Sequence, residues 1–118
     1  MPESTSPNPA ADEALSAVMS GELWSEFCDQ LKATGQQILR EEAPGDPLHR
    51  AEGWRYLTRL TRIALDMFVE CADGDFPSFY RPSHETAKIG ADNPDNYYQR
   101  AEINGAYDYR ITGTRGSV

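Results

Sequence analysis

Residues 46–74, DPLHRAEGWRYLTRLTRIALDMFVECADG, decide how the rest of the chain is read. The stretch reads as one long helix. Asp46 stands where its carboxylate can accept the unpaired amide hydrogens of a first turn, and Pro47 has the fixed φ suited to the first helical position. Gly74, tolerant of the left-handed conformation, is the expected terminator. On a wheel advancing about 100° per residue, Glu52, Arg55, Arg59, Arg62, Asp66 and Glu70 gather in an arc of roughly 80°. Trp54, Tyr56, Leu57, Leu60, Ile63, Leu65, Met67, Phe68, Val69 and Cys71 spread over roughly 240°. A surface helix shows a narrower apolar stripe, so this one expects neighbours on several sides. Tyr56, Leu60, Ile63 and Met67 are its candidate interface residues. Arg55, Arg59 and Arg62 alternate with acids and are expected to form a solvated, self-paired face.

Working back towards the start, residues 22–40 form the second clear helical pattern. Leu23, Trp24, Phe27, Cys28, Leu31, Ile38 and Leu39 fill about 160° of the wheel, opposite Glu26, Asp29, Lys32, Gln36 and Arg40. The breaker Glu41-Glu42-Ala43-Pro44-Gly45 joins the two helices by a short loop. They are expected to pack antiparallel, with Trp24, Phe27 and Leu31 against Trp54, Leu57 and Phe68. Residues 12–19 suggest a shorter helix, ended at Ser20-Gly21, where Ser20 can cap the next helix. Residues 1–10 hold three prolines among Ser, Thr and Asn, and are expected to be a disordered tail.

Beyond Gly74 the texture changes. Phe76-Pro77-Ser78-Phe79-Tyr80-Arg81-Pro82 is aromatic and punctuated by proline, so it is extended or turning. Residues 83–88 suit one helical turn, and residues 90–96 are rich in Asx-turn formers. Residues 97–103 and 106–111 flank Asn104-Gly105, the strongest short hairpin cue. The expected fold class is therefore α+β, mainly α. An antiparallel helical hairpin with a short N-terminal helix leads through a long loop to a C-terminal β-hairpin. In boundaries, residues 11–74 are helical, 75–96 loop and 97–113 hairpin, all in one domain. An isolated two-stranded hairpin is marginal in water, so it must lie on the helices or pair with strands from elsewhere.

Composition narrows the functional classes. A chain of 118 residues suffices for one small core. A net charge of −8 argues against nucleic acid and anionic membranes, which require clustered Lys and Arg. The start MPESTSPNPAADEA lacks the basic and apolar regions of a signal peptide, and no apolar run approaches the ~20 residues of a membrane span. The expected location is cytoplasmic. Cys28 and Cys71 read as reduced, buried small hydrophobes.

Catalytic signatures are absent: no GxxxxGK[ST], GxGxxG, GxSxG or CxxC occurs. His84-Glu85-Thr86-Ala87-Lys88 is a near miss for a zinc protease, with Lys88 where the second imidazole must stand. His49 has no evident partner in sequence. Asp92 and Asp95, with Asn93 and Asn96, offer oxygen ligands but lack an EF-hand register, so a hydrogen-bonded turn is the plainer reading. Tyr97, Tyr98, Tyr107 and Tyr109 either line a ligand surface or pack one strand face on the helices. No catalytic residue, metal or cofactor is assigned. The candidate binding residues are His84, Asp92, Asp95, Tyr97, Tyr98, Tyr107 and Tyr109.

From Asn93-Pro94-Asp95-Asn96-Tyr97-Tyr98, through Ala101-Glu102-Ile103, to Tyr109-Arg110-Ile111-Thr112-Gly113, the sequence resembles the uncharacterised bacterial DUF1254/DUF1214-type proteins. The resemblance covers roughly residues 88–116, with Asn96 where those proteins usually carry Thr. It implies an N-terminal portion of a longer, β-rich protein, or a reduced relative assembling with another chain, and it transfers no activity. Two functional readings stand. One is a non-catalytic structural or interaction module that docks on another subunit, a second copy or a β-rich domain. The other is part of an enzyme or small-molecule-binding protein, contributing a wall of tyrosine and aspartate to a pocket.

Overall fold

The fold was obtained as a computed structural model, and it describes residues 8–90, 93 and 95–116. Of the expected tail, residues 1–7 lie outside the described residues, whereas Pro9 and Ala10 are already helical. Asn8-Pro9 is a cap followed by a proline at the first helical position. The Ala11 amide donates to Asn8 Oδ1 at 3.2 Å, and α1 runs Pro9–Ser20. Helix α2 covers Glu22–Gly35 and α3 covers Pro47–Leu65. By contact the chain separates into two units, Met1–Trp54 and Arg55–Val118.

In the first unit α1 packs on α2 across one pivotal glycine. Gly21 has φ +79°, a left-handed conformation that costs other residues about 1 kcal/mol or more. Its amide closes α1 on Val18 O and its carbonyl opens α2 by accepting from Ser25. The Ser20 hydroxyl adds a bond from the Glu22 amide at 3.2 Å. After Gly35 the helix tightens to a 3-10 turn, Gln36–Leu39, which ends before the expected breaker. This turn lays Ile38 against α3 at Gly53, where a Cβ would sit 2.9 Å from Ile38 Cγ2. Glycine in the middle of a helix is unfavourable by roughly 0.5–1 kcal/mol, and here close approach explains it. Asp46 caps α3 as expected, accepting from the His49 amide at 3.2 Å. Its other oxygen meets His49 Nδ1 at 2.5 Å, a partnership the sequence does not disclose.

In the second unit α3 passes into a π-turn, Asp66–Glu70, closed by the Cys71 amide on Asp66 O. The helix thus ends before Gly74, which does not take a left-handed φ. Gly74 serves a different need: a Cβ there would lie 3.2 Å from the Asn104 amide nitrogen. The Gly74 carbonyl accepts from the Tyr109 hydroxyl at 2.6 Å, and that hydroxyl accepts from the Asn104 amide at 2.7 Å. A loop over residues 83–90 is tied to α3 by Tyr56, Arg59 and Arg62, and it buries Ser83 and Ala87 as α3 buries Ile63.

The expected β-hairpin does not form. Among the described residues there is no strand, and a single antiparallel bridge joins Tyr80 to Arg100. The turn chemistry explains why. A two-residue hairpin needs Asn-Gly at the two central turn positions with positive φ. Here the Tyr107 amide closes on Asn104 O, which places Asn104 at the first position, and Gly105 has no positive φ. Asn104 Oδ1 also accepts from the Ala106 amide, an Asx turn. Arg100 meanwhile bonds to Tyr80 in both directions at 2.9 Å, and Tyr109 is held to Gly74. The α+β assignment is therefore corrected to an α-helical chain with an irregular C-terminal half.

Of the large side chains expected to pack, Trp24 of the first unit is 69% exposed and Phe68 of the second is 67% exposed. The 3-10 turn after Gly35 changes the angular phase that a continuous α-helix over residues 22–40 would have kept. Trp24 instead meets Phe27, ring centroids 5.6 Å apart, on its own helix. Cys28, expected to be buried, is an exposed free thiol, and Cys71 is half-buried. No helix among the described residues is long and apolar enough to cross a membrane.

Candidate functional site

The most chemically organised part of the second unit is the face of α3 that the sequence suggests is merely solvated. Arg55, Thr58, Arg59 and Arg62 recur at three- and four-residue spacing and so share one side of the helix. Opposite them, a single turn closes where the Ala87 amide bonds to His84 O at 3.0 Å, presenting Glu85 and Thr86. These six residues line a cavity of about 390 Å³. Arg59 Nη1 donates to Lys88 O at 3.0 Å, and Arg62 Nη2 donates to Thr86 O at 2.7 Å and Thr86 Oγ1 at 3.2 Å. Among the described residues neither guanidinium forms an ion pair, so these two do not follow the expected self-pairing. Both arginines donate to backbone carbonyls of the loop, and Asp66 lies in the π-turn.

Glu85 completes the site with the opposite charge. Its own backbone amide, and then the Arg81 guanidinium 3.6 Å away, hold its carboxyl below the ordinary glutamate range. Thr58 Oγ1 is committed as a donor to Arg55 O at 2.7 Å, which leaves its lone pairs towards acceptor duty. Periodicity locates the arginines correctly; only the loop that meets them, 24 to 29 residues later, is invisible to it.

The candidate binding residues are dispersed. His84 is half-buried, with Nδ1 3.4 Å from Thr86 Oγ1 at the edge of the arginine cavity. Asp92 lies outside the described residues. Asp95 closes an Asx turn through its amide on Asn93 Oδ1 at 2.9 Å, as expected for that run. The Tyr98 hydroxyl accepts from the Asn93 amide and from Asn96 Nδ2, both at 3.4 Å. Arg81 stacks over the Tyr97 ring, 4.1 Å from its centroid. Tyr107 is exposed, and Tyr109 forms the Gly74 clasp. Of this group Tyr109 alone lines the second cavity, about 460 Å³, with Pro77, Phe79, Ala101, Ile103 and Ile111 among its walls. Among the described residues no group of three or more His, Cys, Asp or Glu is placed to hold a metal ion.

The candidate interface residues also divide. Tyr56 and Leu60 are exposed and Met67 is half-buried, but Ile63 is 4% exposed. Ile63 is thus buried within the second unit.

Comparison with known proteins gives one informative likeness. A crystal structure of an uncharacterized protein from Burkholderia cenocepacia matches 76% of this chain at 64% sequence identity, with a TM-score of 0.72. The chain spans about a quarter of that protein's length, 25%. No protein-family model matches the chain, and no curated protein matches it.

Proposed function

We propose that this chain is a non-catalytic docking module whose apolar helix faces and extended C-terminal segment seat on a β-rich body, in the same polypeptide or in a partner subunit. One observation carries the reading: the described residues enclose almost no core. Among the described residues Ile63 and Ala87 are the buried hydrophobics, and no large side chain is fully buried. The chain exposes 10218 Å². A globule of this mass exposes about 6,400 Å², and even two globules of half the mass would together expose roughly 7,700 Å². Exposed apolar surface on this scale is expected of interaction sites.

The nature of the partner is set by the C-terminal half. On either side of the turn at residues 104–107, residues 97–103 and 108–113 have no regular secondary structure and carry one bridge only, so their backbone amides and carbonyls suit strand addition to a sheet edge. Ile103 is 68% and Ile111 80% exposed, apolar side chains fit for the face of such a sheet. The Burkholderia relative, about three times as long as this chain, supports a further body of protein, and the resemblance of residues 88–116 to DUF1254/DUF1214-type sequences supports a β-rich one.

Sedimentation and dye binding test this. The chain alone is expected to self-associate, bind a hydrophobic dye strongly and melt without cooperativity. A monomer that melts cooperatively and leaves the dye dark overturns the proposal.

A further inference from the structure

We infer that the cavity formed by the segments 77–79, 101–103 and 109–112 binds a small apolar monocarboxylate, its aryl or alkyl chain against the isoleucines and its carboxylate on Arg110. Every wall belongs to the second unit of this chain. The site therefore needs no partner and goes beyond the docking proposal, although the two share Ile103 and Ile111.

The single bridge sets two of the walls. Tyr80 and Arg100 pair antiparallel, so Phe79 stands opposite Ala101 and Pro77 opposite Ile103. Alternate residues of extended backbone share a face, which puts these four on one side of the pair and Tyr80 and Arg100 on the other. All four line the cavity, and neither Tyr80 nor Arg100 does. The third wall, residues 109–112, is anchored by the Tyr109 hydroxyl, which donates to Gly74 O at 2.6 Å and accepts from the Asn104 amide at 2.7 Å. Hydrogen bonds thus tie the frame near residues 80 and 100 and again near 74 and 104. A frame ordered in advance lowers the entropic cost of binding. Its volume, about 460 Å³, lies within the range of small-molecule sites.

The lining defines the ligand. Phe79, Ile103 and Ile111 are each more than half exposed, and an apolar chain seated among them takes that surface out of water. Arg110 is the one charged side chain of the wall, and among the described residues it has neither an ion pair nor a hydrogen bond. The acids nearest in sequence do not answer it: Asp108 forms no ion pair, and Glu102 is held by Arg100 at 2.6 Å. A guanidinium takes the two oxygens of a carboxylate in a fork. With the Tyr109 hydroxyl committed to its clasp, Thr112 supplies the remaining hydroxyl of the wall. A second charge on the ligand would have to be buried against apolar side chains without a partner, so the acid is a monoacid. The net charge of −8 opposes an anion at long range, but at 0.15 M salt that repulsion is screened beyond about 8 Å.

The test is a titration of the full chain with 4-phenylbutyrate, octanoate and the neutral 4-phenylbutyramide, by calorimetry and saturation-transfer NMR at about 0.15 M salt. One ligand per chain is expected, with 4-phenylbutyrate about tenfold tighter than its amide. The affinity should not change with chain concentration. Arg110→Gln is expected to bring acid and amide to the same affinity, whereas Ile111→Ala should weaken both several-fold and keep their ratio. Both side chains are exposed, so neither variant threatens the fold. Lack of saturation by about 10 mM of every probe overturns the proposal. So does equal binding of acid and amide to the wild type, which would leave only an apolar face for a partner's side chains. An affinity that rises with chain concentration, or an acid preference that survives Arg110→Gln, also overturns it. Self-association and dye binding are read on the chain without any probe, so this inference and the docking proposal fail separately.

Discussion

At Gly53 a single hydrogen atom decides how the 3-10 turn meets α3. Replacing glycine by alanine in a helix ordinarily gains roughly 1 kcal/mol. Here the new methyl would stand 2.9 Å from Ile38 Cγ2, a short branch with no flexible end to swing away. Overpacking costs typically 1–3 kcal/mol, so Gly53→Ala should lose net stability, by about 1 kcal/mol. In Ile38→Ala the same substitution should instead stabilise. A double-mutant cycle of urea melts monitored by circular dichroism measures the coupling, expected at roughly 1–2 kcal/mol, and additivity would refute the close approach.

The elements differ in how legible they are in the sequence, and the reason is range. Helix starts rest on bonds spanning three residues, so Asp46 and the residue 22–40 pattern are legible directly. Asn8-Pro9 carries the same signal but lies within a proline-rich stretch whose composition outweighs it. The cap at Asp46 has a pH signature. Above all the His49 amide, which donates to its carboxylate, holds Asp46 below the ordinary aspartate value. A carboxyl with a folded pKa below its unfolded one stabilises the folded form at pH above the unfolded value, and that contribution fades as pH falls through the folded value. Helicity of α3 should thus decline on acidification below about pH 4, the ordinary aspartate value. Asp46→Asn, which keeps an oxygen for the cap, should flatten that part of the titration when monitored by circular dichroism. By contrast, the Gly74 clasp and the arginine cavity depend on partners 24 to 35 residues apart, and no local pattern encodes them. The hairpin cue fails for a related reason. Asn104-Gly105 does specify a turn, but the phase of that turn is set by Tyr109 and Gly74.

For the whole molecule, exposure of so many apolar side chains changes what unfolding can measure. The slope of stability against denaturant scales with the surface newly exposed, about 1–3 kcal/mol/M in urea for small proteins. With Trp24, Met19, Phe68, Phe76 and Ile111 already more than half exposed, little remains to be uncovered. The urea slope of the isolated chain should fall below about 1 kcal/mol/M, and under the docking proposal it should rise once the chain is seated on the proposed β-rich body. A slope typical of a 118-residue globule would mean that these side chains are covered in solution.

The π-turn at Asp66–Glu70 holds one residue more than an α-helical turn accommodates. The chain therefore leaves α3 out of phase with its own helical wheel. Removing one residue from that turn would restore the ordinary ladder and swing the backbone beyond it by about 100° about the axis. Gly74 would then point its carbonyl away from Tyr109, and the cradle at Asn104 would open. The surplus residue acts as an angular spacer: it sets the direction in which the whole C-terminal half departs from the helix.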